Sequence, residues 1–401
     1  MAILDMGAAA PLVNELQACH LLAPEHLSRV RAYLQASARR EPADLVDFLV
    51  HHSILTRMQG DRVRDQRARD LVLAQFILTE EIGAGSMGTV YKARSLKGDA
   101  WYAVKIVPRR NVVNLNAIAE KVHALREIRH PRVSALVHLG ASEERVYLAW
   151  PLLDGGEKLD AFVRRQGKLA TRQAIQIGLQ GASGLQPYHE HDLFHGLLKP
   201  SDIVIGADRR ARILDFGVGF LLTSERGKSL LDTMTNTRAL ARGLDCASPE
   251  SIMNPLDRTP AGDQYSLGCI LYFCLTGQFP FSHENPVKKM LAHQSEEPTP
   301  LRELNPQASA RLAAIVERMM AKLPEERYES IGDVVRELQA LTQSSPRRAP
   351  TQPALSPARP KVKSDEPAGK ASPWRLSTWV PIGVAAGVAA GIVLGVLLAQ
   401  R

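Results

Sequence analysis

The stretch IGAGSMGTVYKARS, residues 82–95, sets Gly83, Gly85 and Gly88 in a G-x-G-x-x-G spacing. Glycines so spaced let a backbone come close to phosphate oxygens, and dinucleotide-binding folds use the same pattern, so the spacing alone decides nothing. The residues after Gly88 decide. A dinucleotide fold needs a helix opening at the third glycine, whereas TVYKARS goes on as a strand. Strand, glycine loop, strand is how a backbone is laid across the phosphates of a bound nucleotide.

Seventeen residues beyond Gly88, WYAVKIV places Lys105 in a second strand. Alternation there puts Ala103 and Lys105 on one face and Val104 and Ile106 on the other. A lysine held among apolar neighbours needs an anionic partner, which phosphate oxygens and an acidic side chain supply. Upstream, FILTEEI reads as a further antiparallel strand, and downstream DQYSLGCILYFCLTG reads as an apolar helix, so the class is α+β.

More motifs come in order: LDFGVG with Asp215-Phe216-Gly217, SPE with Pro249-Glu250, DQYSLG with Asp263, and PEERY with Arg327. On these residues the chain resembles the protein kinase family, specifically the bacterial serine/threonine kinases of eukaryotic type, over residues 76–341. The resemblance implies a bilobal fold that binds ATP with magnesium. It implies that Asp215 and Asp202 hold the metal, that Val90 and Ala103 roof the adenine over Val204, and that Pro151 and Leu153 read it through their backbone, with Trp150 closing the back of the pocket. It makes Glu250 and Arg327 a structural ion pair and Asp263 a brace for a loop. The family pairs its lysine with a glutamate, for which AIAEKVHALREIRHP offers Glu120 and Glu127, although counting back from His130-Pro131 puts Lys121 at the expected place. His189, His191 and His195 in HEHDLFH are spaced as in the family's approach to its catalytic loop, which outweighs a metal site.

That loop reads H-R-D-L-K-P-x-N in the family, and HGLLKPSD matches it without a gap from His195 to Asp202. Gly196 stands for the arginine, Leu197 for the catalytic aspartate and Asp202 for the asparagine, while Lys199 keeps the lysine that contacts the transferred phosphate. Leucine can neither orient a substrate hydroxyl nor take its proton, a contribution of about 10²–10⁴-fold. RGLDCASPE departs as well, with Gly243 at the family's threonine and Cys246 at its tyrosine. The expectation is a kinase-family protein that binds Mg-ATP, with phosphotransfer impaired or absent. The alternatives are an active kinase with an unusual loop and an interaction module without nucleotide. Gly196 also removes the usual anchor for an activation-loop phosphate, although Thr223, Ser224, Thr233, Thr235 and Thr237 remain available to other kinases.

The rest of the chain frames this domain. Residues 1–75 carry apolar residues at helical spacing in LVNELQACHLL, EHLSRVRAYL and DLVDFLVHHSIL, a small helical module with a packing or docking role. Residues 342–378 are rich in Pro, Ser, Lys and Arg, the composition of a disordered linker. From Trp379 to Ala399 run 21 uncharged, mostly apolar residues, enough to span a bilayer as a helix. Gly383, Gly387, Gly391 and Gly395 recur at every fourth position of that stretch and suit close helix pairing, as in a homodimer. Seven Lys/Arg precede it and only Arg401 comes after it, so a single-pass protein with its N-terminal domains in the cytoplasm is expected. The net charge of +8 is scattered, with one excess just before the apolar end, which favours a membrane surface and excludes nucleic acid as the expected partner. The start of the chain lacks the basic and uninterrupted apolar regions of a signal peptide, and the four cysteines form no metal or disulfide framework.

Overall fold

The computed structural model describes residues 7–36, 41–85, 88–108, 115–141, 145–153, 155–216, 242–254 and 258–343. Its first part is helical: α1 (Ala10–Ala18), α2 (Leu27–Ala36), α3 (Pro42–His51) and α4 (Arg57–Arg64). Proline opens α1 and α3, where a missing N–H costs nothing. Thr56 and Gln59 close the start of α4 reciprocally: the Thr56 hydroxyl accepts from the Gln59 N–H at 3.2 Å and the Gln59 amide oxygen from the Thr56 N–H at 3.0 Å. The same two side chains reach the next element. Gln59 donates to the Leu78 carbonyl at 2.8 Å and Thr56 to that of Thr79.

Leu78 and Thr79 belong to a six-stranded antiparallel sheet of order β1-β2-β3-β4-β6-β5. Its strands are β1 (Val72–Leu73), β2 (Phe76–Gly85), β3 (Gly88–Ser95), β4 (Trp101–Pro108), β5 (His138–Ala141) and β6 (Arg145–Pro151). Val90, Lys105 and Leu148 are mutually opposite, and so are Lys92, Ala103 and Trp150, so all six share one face. The other face carries Tyr91, Ala93, Val104, Tyr147 and Ala149, which share one core with Val13, Leu16, Leu45 and Leu49 of the helices. The helical module is therefore built onto the sheet. It covers the face that Val104 presents, which is why WYAVKIV is apolar on both sides.

Beyond α5 (Leu115–Glu127) the chain is mostly helical. It forms α6 (Leu159–Gln166), α7 (Thr171–His189), α8 (Pro249–Met253), α9 (Pro260–Thr276), α10 (Pro286–Ser295), α11 (Leu301–Leu304), α12 (Ala310–Met319) and α13 (Ile331–Gln343). A small sheet joins them: β7 (Glu157–Lys158), β8 (Ile203–Ile205) and β9 (Ala211–Ile213). The helix α9 is buried all round from Gly262 to Leu275, as a helix without a polar face must be. Thr259 caps its start and Gly277, at φ +79°, ends it in the left-handed conformation. Helices α7, α12 and α13 pack around it in one hydrophobic core.

All four cysteines are buried and free. Among the described residues no helix is long and apolar enough to cross a membrane. The expected span 379–399 with its four glycines, the linker from residue 344 onward and Thr223 to Thr237 lie outside the described residues.

Candidate active site

The cleft between the large sheet and the helical part is where the expected residues meet. At its roof the two strands of the opening motif pair in register, Gly83 with Val90 and Gly85 with Gly88. Gly88 has φ +147°, and a Cβ there would lie 2.0 Å from the Ile106 carbonyl oxygen, so no larger residue fits. Below it, on the face of Val90 and Ala103, Lys105 is 6% exposed and donates to the Asp215 carboxylate. Asp215 itself sits in the left-handed region, at φ +55°. Burial pushes its carboxyl pKa up. The ammoniums of Lys105 and Lys199 and the nearby His195 outweigh that and hold it below the usual range.

The loop from His195 to Asp202 lies under this pair. The backbone N–H groups of His195 and Gly196 donate to the two oxygens of Asp263 at 2.6 and 2.8 Å, and His189 Nε2 donates to the same carboxylate at 3.1 Å. The His195 ring crosses to the segment after β9, where Nε2 donates to the Leu214 carbonyl at 3.0 Å, while Nδ1 accepts from the Leu197 N–H at 3.4 Å. Lys199 donates to both oxygens of Asp202 at 3.0 Å. Burial pulls the Lys199 pKa down, but Asp202 outweighs it and the net shift is upward, so the lysine is charged. Asp202 in turn accepts the Leu214 N–H on its carbonyl at 2.7 Å, fixing it one residue from Asp215. The two carboxylates thus stand together with two lysines.

The remaining expected residues fall into place unevenly. Pro151 ends β6 opposite Tyr102, and the Leu152 N–H donates to the Trp101 carbonyl at 2.9 Å, with Leu153 next along the chain. Val204 lies on β8, buried against Gly156. Trp150 is 2% exposed in a cluster with Val107, Val122, Leu136, Val146 and Leu148, and so fills the back of the cleft. Glu120 is not brought to Lys105: it is exposed on α5, as is Glu127, and the acid that Lys105 meets is Asp215. The three histidines do not converge. His189 and His195 go to the partners above, and the exposed His191 donates to the Pro187 carbonyl at 2.9 Å.

Two arrangements carry no signal in the local sequence. Leu197 packs against the Trp150 cluster on one side and against Leu244 and Ala247 on the other, bridging the sheet side of the cleft to the segment before α8. Arg258, 4% exposed, lies beside Gly196, where a Cβ would come within 3.1 Å of its Cδ; burial lowers its guanidinium pKa to about 10. An arginine from 62 residues downstream thus lies against the glycine that stands at the family's arginine position, a long-range contact that only the folded chain reveals. Nearby, Glu250 and Arg327 form a two-pronged pair at 2.8 Å, with the arginine side chain fully buried and further bonded to the carbonyls of Ala261, Ala321 and Lys322.

A glycine-roofed cleft with two lysines and two carboxylates, between a sheet lobe and a helical lobe, is the arrangement of the kinase class. The sequence matches the protein kinase domain over residues 76–338, and the chain belongs to that family. Its relatives are bacterial serine/threonine kinases. A probable serine/threonine-protein kinase of Corynebacterium efficiens is 28% identical over 79% of this chain and 47% of its own length. The serine/threonine-protein kinase PknB of Mycobacterium tuberculosis is 28% identical over 69% and 44%. A probable PknB of Lactococcus lactis is 28% identical over 67% and 42%. The chain thus spans less than half the length of these curated relatives.

The donor set suits a hard cation. Among the described residues no group of three or more His, Cys, Asp or Glu gathers as a metal site. Magnesium, however, is typically held by one or two carboxylates together with phosphate oxygens and water, and Asp202 and Asp215 provide two. Each is engaged by a lysine, Asp215 by Lys105 and Asp202 by Lys199. The neighbouring Cys246 is no candidate nucleophile, because burial and the adjacent Cys269 push its thiol pKa well up.

Proposed function

We propose that the protein is a membrane-anchored member of the kinase family that binds Mg-ATP and transfers phosphate poorly or not at all, acting as a scaffold or switch in signalling. The observation that carries this is Leu197. It stands where the family keeps its catalytic carboxylate, and its contacts on both sides are apolar. Gly83, Gly85, Gly88, Val90 and Ala103 would enclose the nucleotide, with Val204 below and Pro151 and Leu153 at the adenine edge. Lys105 and Lys199 would hold phosphate oxygens, and Asp202 and Asp215 the magnesium, which when bound neutralises the charge of the phosphates. The apolar stretch 379–399 and the basic residues before it support a membrane anchor, and its glycines support pairing of two copies. Carbonate extraction of the full chain and of a chain ending at residue 378 tests the anchor: only the former should stay with membranes.

The central test joins two measurements on the full chain. Mg-ATP should raise the unfolding temperature, since a ligand of the native state must stabilise it, and Lys105→Met should abolish the rise. Radiolabelled transfer should be near background and should increase in Leu197→Asp. Ordinary kinase turnover in the native chain, dependent on Lys105, would favour the second reading, an active kinase, which Lys199 supports by its place beside Asp202 and Asp215. Absence of any Mg-ATP shift would remove the nucleotide from either reading.

A further inference from the structure

Behind β6, on the side away from the glycine loop, the connection from α5 to β5 leaves a groove of about 410 Å³. Pro131, Leu136, Val137 and Pro151 contribute an apolar floor, and Arg126 and Arg129 stand on its rim. Both arginines are exposed, and among the described residues neither has a carboxylate in ion-pair distance. The next cation along the chain, Arg132, faces Arg210 and Arg212, whose charges together with burial lower its pKa. Asp208 is the carboxylate that acts on Arg132, and it is already bonded to Arg212 at 2.8 Å. His130 adds no charge: burial and Arg132 lower its pKa, and its Nδ1 accepts the Arg132 N–H at 3.3 Å.

Arg126 and Arg129 on the rim, with Arg132 next along the chain, face Glu127 of the same helix end, so the surround carries a net positive charge that attracts an acidic partner. The floor adds a second requirement, a recessed apolar contact within the size range of ligand sites. We infer that this groove docks an acidic polypeptide segment, one that lays an aliphatic side chain on the Pro131–Val137 floor and sets Asp or Glu against Arg126 and Arg129. A bilayer presents a broad surface and would leave the recessed floor unused. Nucleic acid would call for aromatic rings to stack on, and no Phe, Tyr or Trp lines the groove. The arginine rim lies outside the cleft, while the floor shares Pro151 with the proposed adenine edge, so the test changes the rim alone.

A random dodecapeptide display library panned against the full chain, held in uncharged detergent, tests it. The enriched peptides should carry acidic residues flanking a Leu, Ile, Val or Phe. Their synthetic versions should bind at least about tenfold more weakly to Arg126→Glu/Arg129→Glu. Both positions are exposed, so this double variant should unfold at the native temperature, which separates lost docking from lost folding. Enriched peptides without an acidic bias, or equal binding to the double variant, overturn the inference. So does arginine-dependent capture of phosphatidylserine vesicles that the peptides fail to displace, which would assign the patch to a membrane. Arginine-dependent self-association in sedimentation would overturn it in favour of a second copy.

Discussion

On the side of the 195–202 loop that faces the large lobe, the buried charges that brace the loop are paired. Asp263 takes two backbone N–H groups and a histidine, and the buried guanidinium of Arg327 finds Glu250 and three carbonyls nearby. On the side that faces the cleft, the same loop offers Leu197 to apolar clusters above and below. The groups that hold the loop in shape are thus separable from the group that would act from it. A kinase fold needs the first set to exist at all, because a buried charge without its partner costs several kcal/mol. It needs the second only for turnover.

The largest expected effect lies on the cleft side. Leu197→Asp should raise phosphotransfer by about 10²–10⁴-fold, the usual worth of a positioned general base. It should also cost about 1–3 kcal/mol of stability, since the carboxylate enters apolar surroundings. A stability loss without gain in transfer would show that Gly243 or another change disables the face independently, which sharpens the contrast between the two sides. On the brace side, Glu250→Ala leaves Arg327 buried and unpaired and should cost about 3–5 kcal/mol in denaturant unfolding. Asp263→Asn keeps the shape but loses an acceptor for one N–H, and a loss of about 1–3 kcal/mol should result. Indifference of unfolding to either change would break the comparison.

Lys105 belongs to both sides, since it fixes Asp215 now and would meet phosphate when nucleotide binds. Because the Asp215 pKa is held below that of the unfolded chain, its contribution to stability is present above the ordinary carboxylate range and is lost as pH falls through that range. In Lys105→Met burial acts on Asp215 with less to oppose it, so its pKa should rise and this contribution should weaken or change sign. Thermal unfolding of both proteins from neutral to mildly acid pH reads the difference directly.

How much of this was legible depended on distance along the chain. Alternation in WYAVKIV placed Ala103 and Lys105 on one face, because the strand period is a local property. What covers the opposite face was not legible, since nothing local in residues 1–75 says that Leu45 and Leu49 will meet Val104. The gapless match of HGLLKPSD located Leu197, but not the fact that it touches both Trp150's cluster and Leu244, which depends on three separate segments converging. The motif calls for an acid on α5, where Glu120 and Glu127 are both available and Lys121 holds the expected place. The chain instead closes Lys105 on Asp215, 110 residues away, in a pairing that only the fold creates. Gly196 marks the place of the family's arginine and says nothing of Arg258, which the fold brings beside it.

The smallest effect probes the segment against which Leu197 packs from below. On α10, His293 is buried with its Nδ1 accepting from the Tyr265 hydroxyl at 2.9 Å. Burial, with Lys322 and Lys289 nearby, lowers its pKa to about 3 from an ordinary value of 6.5. The folded chain therefore keeps this imidazole neutral where the unfolded chain protonates it. The corresponding stability is complete above pH about 6.5 and is lost progressively as pH falls toward about 3, with about 1 kcal/mol gone at pH about 6. His293→Gln retains an acceptor for Tyr265 and has nothing to titrate. Its unfolding free energy should consequently fall less steeply than the native chain's over the upper half of that window. Parallel curves would mean that the large lobe's acid sensitivity comes from its carboxylates alone, and that the apolar seat of Leu197 is insensitive to the charge state of the helix beside it.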